Sequence, residues 1–265
     1  MITKRRDLFL ERSVERDVAW HFTGPVFIWD VDKTYLDTAF DKAKGLLWIP
    51  FEFAVDKMPV KGAVELLRAM RHGPEEESAL NPIFFISGSP PQLRRVIEQR
   101  MTLDGVQFDG LTLKDQLGLL LRCGLRGLRH QVGYKLAALL MTRLELPRAC
   151  SVFLLGDDVE SDPLVYTLFN EICAGSGGDA MRARLTALGV WPSMLVALMP
   201  LVDAVAEVTY PMAEIFIRCV KKTPLPNDPR LHGFRDFSEV RTWMIHAKLI
   251  RATRYHSLDT RLSAV

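Results

Sequence analysis

Asp30 and Asp32 stand two residues apart in Asp30-Val31-Asp32-Lys33-Thr34, directly after a short apolar run. At a strand end, positions two apart face the same way, so both carboxylates can enter one small volume. Adjacent carboxylates repel unless a proton or a cation lies between them, and Mg2+, a hard ion preferring oxygen ligands, suits that place. A carboxylate so placed can also attack phosphorus. Taken alone, this stretch reads equally well as a pair of turn-forming or capping aspartates. A second acidic stretch, Gly156-Asp157-Asp158-Val159-Glu160-Ser161-Asp162, follows another apolar run and holds more carboxylates than a turn requires. Asp157 and Asp162 can both reach back toward a metal. The alternative for Asp162 is a helix cap.

Two further residues have the right chemistry for an anion. Ser87 ends an apolar run just before a helix start, where a hydroxyl and free backbone N–H groups can cradle an oxyanion; a purely structural capping serine is the commoner case. Lys135 falls near the start of a predicted helix. There a cation is mildly unfavourable to the helix dipole unless an anion lies beside it, and an exposed surface lysine is the alternative.

The elements that must position these groups are legible as short apolar runs at 26–29, 83–86 and 152–155, the pattern of strands buried on both faces. Helical spacing marks 60–71, 134–146 and a helical insertion over 178–208. Ser89-Pro90-Pro91-Gln92 and Asp162-Pro163 read as helix starts, the first with Ser89 as N-cap and Gln92 completing a capping box. A weaker strand is predicted near 110–113 and a further one at 213–218. Strands alternating with helices give an α/β fold: a doubly wound, mainly parallel sheet with helices on both faces, in which ligands bind at the carboxyl ends of the strands. The predicted domain spans 23–220, with the helical insertion at about 175–208 before the last strand. A charged, helical lead-in over 1–22 precedes it, and a Pro-rich, partly helical tail over 221–265 follows. The mixed segment 35–58 is expected to be irregular or a small flap, too slight for a large cap over the site.

Composition sets the outer bounds. The 265 residues are 48% hydrophobic and 25% charged, enough for a sizeable core and incompatible with wholesale disorder. Lys plus Arg number 34 against 32 acids, so there is no global pull toward nucleic acid and any anion site must be local. The cysteines at 123, 150, 173 and 219 form no CxxC pair, which points away from zinc or a disulfide framework and toward a reducing, cytoplasmic setting. Residues 1–20 lack the apolar core of a secretory signal, and the most apolar later stretch, 194–202, is too short to span a bilayer.

The ordered set Asp30 to Thr34, Ser87, Lys135 and Gly156 to Asp162 resembles the four motifs of the haloacid dehalogenase superfamily of phosphohydrolases, over roughly residues 25–220. Within it, Phe85-Ile86-Ser87-Gly88-Ser89-Pro90-Pro91-Gln92-Leu93, Leu155-Gly156-Asp157 and Ser161-Asp162-Pro163-Leu164-Val165-Tyr166 look like the catalytic domain of the actin-patch type of phosphatidate phosphatase. Ala213-Glu214-Ile215-Phe216-Ile217-Arg218 is similar to a later strand of that family. The resemblance implies a Mg2+-dependent phosphatase. Asp30 would be nucleophile and metal ligand. Asp32 would be the acid and base, and a metal ligand through its carbonyl. Thr34, Ser87 and Lys135 would hold the phosphoryl oxygens, while Asp157 and Asp162 complete the metal site, with Asp158 as the rival to Asp162. Lys33 stands where the narrower family usually has an acid, and is similar to polynucleotide phosphatases of the same superfamily.

The implied substrate is therefore a phosphorylated one, first a phosphatidate-like membrane lipid, with nucleic-acid ends or a small phosphorylated metabolite as alternatives. A catalytically idle phosphate- or lipid-binding module is the reading from a different class. Between residues 111 and 148 seven basic residues face two acids, with arginines interleaved among leucines at 121–129, a segment suited to peripheral contact with an anionic membrane. A solvated basic loop is the plainer reading. Nucleic acid is less supported, because no aromatic stacking pattern accompanies these arginines. Residues 191–205 are apolar enough to dock on lipid, with a helix closing over the sheet as the plainer expectation.

Overall fold

The apolar runs form the centre of one sheet. In the computed structural model, which describes residues 2–37, 58–74, 80–119, 132–221 and 223–252, β3 (Pro25–Asp30), β4 (Ile83–Ser87), β5 (Gly110–Lys114), β6 (Ser151–Asp157) and β7 (Glu214–Arg218) run parallel. β8 (Leu231–Phe234) extends them, also parallel, at one edge. At the other edge β1 (Ile2–Arg5) and β2 (Leu10–Val14) form a hairpin whose second strand pairs antiparallel with β5. The order across the sheet is β1-β2-β5-β4-β3-β6-β7-β8.

Side chains alternate across this sheet as strand geometry requires. Phe27, Trp29, Phe85, Phe153, Leu155 and Phe216 face the helices α1 (Ala63–His72), α2 (Arg94–Leu103) and α7 (Phe237–His246). Val26, Ile28, Ile86, Leu154 and Ile217 face α3 (Val132–Glu145), α4 (Asp162–Cys173), α5 (Gly178–Ala187) and α6 (Pro192–Val208). Both faces are covered, which is why the central strands carry continuous apolar runs. The chain therefore has a mixed α/β fold built on a mostly parallel eight-stranded sheet.

Several local expectations are corrected. Residues 1–22 were expected to be helical, yet they contain the β1–β2 hairpin. Its buried polar residues are paired: Glu11 accepts from Arg94 Nε at 3.1 Å and Arg12 binds Glu145. The sheet thus reaches beyond 23–220 at both ends, because β8 lies in the stretch expected to be only a partly helical tail. Ser89 does not cap a helix. A 3-10 turn at Pro91–Leu93 with no side-chain cap leads into α2, and the Ser89 hydroxyl is used elsewhere. The insertion before β7 is helical as expected, formed by α5 and α6. α6 buries Met194, Leu198, Val202 and Val205 against the sheet-side core, with Pro200 inside it. Among the described residues no helix is long and apolar enough to cross a membrane. Most of the 35–58 segment, and the arginine-leucine stretch at 121–129, lie outside the described residues.

Candidate active site

The carboxyl ends of five neighbouring parallel strands each carry a polar residue: Asp30 on β3, Ser87 on β4, Lys114 on β5, Asp157 on β6 and Arg218 on β7. Asp30 follows Ile28 on the face that looks toward α3, and Lys135 sits in the first turn of that helix. The Lys135 ammonium is 1% exposed and donates to Asp30 Oδ1 at 2.8 Å, to Glu160 Oε2 at 2.9 Å and to Asp162 Oδ1. It is therefore no surface lysine; the neighbouring anions account for its place near a helix N-terminus.

Asp30, Asp157 and Asp162 are all buried, and one carboxylate oxygen from each lies within 4.8 Å of the other two. Asp162 is the first residue of α4 rather than its cap; its Oδ2 accepts from the Asp157 backbone N–H at 3.3 Å. Gly156 permits this approach, since a Cβ there would lie 2.5 Å from Asp162 Oδ2. Asp157 Oδ1 in turn accepts from the N–H groups of Val159 and Glu160 at 2.5 and 3.2 Å. Asp158 is directed away. Its carboxylate accepts from the N–H groups of Val220, Lys221 and Thr223 at 2.7, 2.8 and 3.1 Å, fastening the chain that leaves β7.

Asp32 meets two serines. Its Oδ2 accepts from the Ser87 hydroxyl at 2.9 Å and the Ser89 hydroxyl at 3.3 Å, while Ser87 Oγ accepts from the Ser89 N–H at 3.0 Å. The Thr34 hydroxyl sits 3.4 Å from Asp157 Oδ2. Ser87 and Thr34, the two residues expected beside Lys135 on a bound anion, each direct a hydroxyl at one of these carboxylates. Just after Asp32 the backbone turns sharply: Lys33 has φ 62°, and its carbonyl accepts from Arg218 Nη1 at 2.6 Å.

The electrostatics follow from burial. Taking these carboxylates out of water pushes Asp30 well above the usual carboxylate range, against the pull of Lys135, and pushes Asp157 up to about 7 with Asp162 adding to the effect. Asp162 is raised too, again mainly by burial. Burial alone would lower Lys135, but Asp162, Asp30 and Glu160 outweigh it and hold the ammonium charged. One lysine cannot balance this many buried acids. Asp30 Oδ2 is moreover buried with no hydrogen-bond partner among the described residues. Three buried carboxylates that each bring a hard oxygen donor to one place fit a divalent cation, and Asp30, Asp157 and Asp162 are the residues that could hold it.

Compared with protein families, residues 26–174 match the family described as phosphatidate phosphatase APP1, catalytic domain. The chain belongs to this family. The APP1 catalytic-domain family is one of phosphatases, and its span on this chain takes in every residue of the carboxylate site, from Asp30 to Asp162. The β1–β2 hairpin, α5, α6, β7, β8 and α7 fall outside the APP1 span. Searches of curated proteins and of solved structures return no match.

Sequence reasoning missed three contributors near the site: Ser89, whose hydroxyl reaches Asp32; Glu160, on Lys135; and Lys114, whose ammonium lies 5.1 Å from the Tyr134 ring centroid. Glu160 is visible as one acid too many for a turn, Ser89 as a predicted helix cap and Lys114 as one of the basic residues of 111–148, none of them placed at the site.

Proposed function

We propose that this chain is a Mg2+-dependent phosphomonoesterase of the haloacid dehalogenase superfamily, acting through Asp30 on a phosphatidate-like lipid. The family supplies the reaction class. The observation that carries Asp30 as the nucleophile is the contrast between its two oxygens: Oδ1 is fixed by Lys135, whereas Oδ2 is buried without a partner among the described residues.

In this reading Asp30 Oδ2 bonds to phosphorus as the bond to the leaving oxygen breaks, and Asp32 gives that oxygen a proton. Asp32, held by Ser87 and Ser89, then takes a proton from the water that splits the phosphoryl-aspartate, releasing inorganic phosphate and restoring Asp30. Lys135 fixes the nucleophile and faces the phosphoryl oxygens. A Mg2+ ion held by Asp30, Asp157 and Asp162 would offset the negative charge gathered at the transferring group.

The test is Mg2+-dependent phosphate release from phosphatidate in mixed micelles, with p-nitrophenyl phosphate and a phosphorylated oligonucleotide alongside. Asp30→Asn should abolish release from the true substrate while leaving the thermal unfolding transition in place. Release from the soluble esters alone would keep the mechanism and remove the lipid; release that survives Asp30→Asn would overturn the mechanism.

A further inference from the structure

An ammonium has three N–H donors, and those of Lys135 all go to carboxylates: Asp30, Glu160 and Asp162. A phosphoryl oxygen that reaches Lys135 must therefore take the place of one of them. Asp30 and Asp162 are held. Asp30 is fully buried at the end of β3, and Asp162 is pinned through its second oxygen to the Asp157 N–H above Gly156. Glu160 differs from both, because it lies in the loop before α4 with its side chain 21% exposed. A second cation stands near. Lys114 is 2% exposed at the end of β5, over the face of Tyr134, the residue preceding Lys135. Burial pushes Lys114 down to about 8; Glu160 works against that shift and Lys135 adds to it.

Building on the phosphomonoesterase reading, we propose that Glu160 occupies on Lys135 the position of a substrate phosphoryl oxygen, and that it transfers to Lys114 when a phosphate group enters. Glu160 and Lys114 then set how tightly any phosphoryl group is held. An internal carboxylate competing for Lys135 weakens every phosphoryl ligand by the same factor. A substrate with further contacts on the protein still displaces it at its working concentration. Inorganic phosphate, which lacks such contacts, is released readily.

Calorimetric titration of inorganic phosphate, with Mg2+ present, into the full chain tests this. Glu160→Gln should tighten phosphate binding about tenfold, the gain expected when a site blocked nine-tenths of the time is freed. It should lower KM for p-nitrophenyl phosphate with kcat changed by less than about twofold, where a merely structural role would lower kcat. Lys114→Met should weaken phosphate binding, because the displaced carboxylate has lost its destination. The double variant should bind like Glu160→Gln alone. Thermal unfolding checks that each variant is folded, and if Lys114→Met is not, the half-buried Glu160→Gln decides alone. Unchanged or weaker phosphate binding by Glu160→Gln overturns the proposal. Equal weakening by Lys114→Met in both backgrounds also overturns it, since Lys114 would then touch the phosphate itself. Tighter binding by Glu160→Gln in a protein that hydrolyses no phosphomonoester would sustain this inference while the catalytic reading fails. Turnover with no effect of Glu160→Gln would do the reverse.

Discussion

Asp157 and Asp158 are adjacent in the chain and serve different parts of the molecule. Asp157 lies with Asp30 and Asp162 in the acidic cluster, whereas Asp158 accepts from the N–H groups of Val220, Lys221 and Thr223 beyond β7. The two positions should therefore fail differently. Asp158→Ala leaves three backbone donors without their acceptor and should cost about 1–3 kcal/mol of stability, with Mg2+ binding retained. Asp157→Asn removes a buried, repelled charge, so it should abolish metal-dependent stabilisation without lowering metal-free stability. Denaturant titrations with and without Mg2+ check both, and equal behaviour of the two variants would contradict the division.

Metal-free stability should depend on pH with a definite sign. Asp157 is held up to about 7 by burial and by Asp162, above the ordinary carboxylate value. The native state keeps this proton where the unfolded chain has lost it, so the Asp157 contribution to stability falls as pH rises from about 4 to about 7, and raised Asp30 and Asp162 act in the same direction. Mg2+ needs the deprotonated carboxylates, and its stabilising effect should grow over the same range. Thermal unfolding in chelator and in Mg2+ at about pH 5 and about pH 8 measures this; a metal effect larger at the lower pH would reverse the sign.

Lys135→Met should be among the most damaging single changes. It removes the cation shared by Asp30, Asp162 and Glu160 while leaving the acids buried, a loss of about 3–5 kcal/mol. The loss should be smaller at acid pH, where the carboxyls are protonated. Equilibrium unfolding at two pH values would show it, and a pH-independent loss would mean that packing, not charge, is the cause.

Gly156→Ala tests the geometry of the cluster from the backbone side. The added Cβ would lie 2.5 Å from Asp162 Oδ2 and 2.8 Å from its Cβ, so the first turn of α4 must move. Metal affinity should fall at least about tenfold, while the circular dichroism of the sheet and helices is kept. Unchanged affinity would show that Asp162 is not needed to hold the ion.

Much of this was legible in the sequence. Strands buried on both faces announce themselves as apolar runs, and Asp30, Ser87 and Asp157 stand at their ends because parallel strands present those ends together. The β1–β2 hairpin was not legible. Arg12 and Ser13 break any apolar run, and they are buried only because Glu145 and Arg94 come to meet them from distant helices. β8 is short, carries His232 and Gly233, and gains its place from pairing with β7. The separate duties of Asp157 and Asp158, and the choice of Lys135 by Glu160, depend on which way side chains turn within one loop. Spacing alone does not carry that.

The β2–β5 pairing has a consequence for synthesis. Leu10 pairs with Lys114, so the hairpin leaves the ribosome long before the strand that gives it a place. At ordinary elongation rates the wait is roughly 5–20 s. Throughout it Leu8, Phe9 and Leu10, which end in the core, lack β5, the strand that seats β2 in the sheet. Over that interval the nascent chain carries an apolar, strand-forming segment without its partner strand, a segment that a chaperone at the tunnel exit can bind.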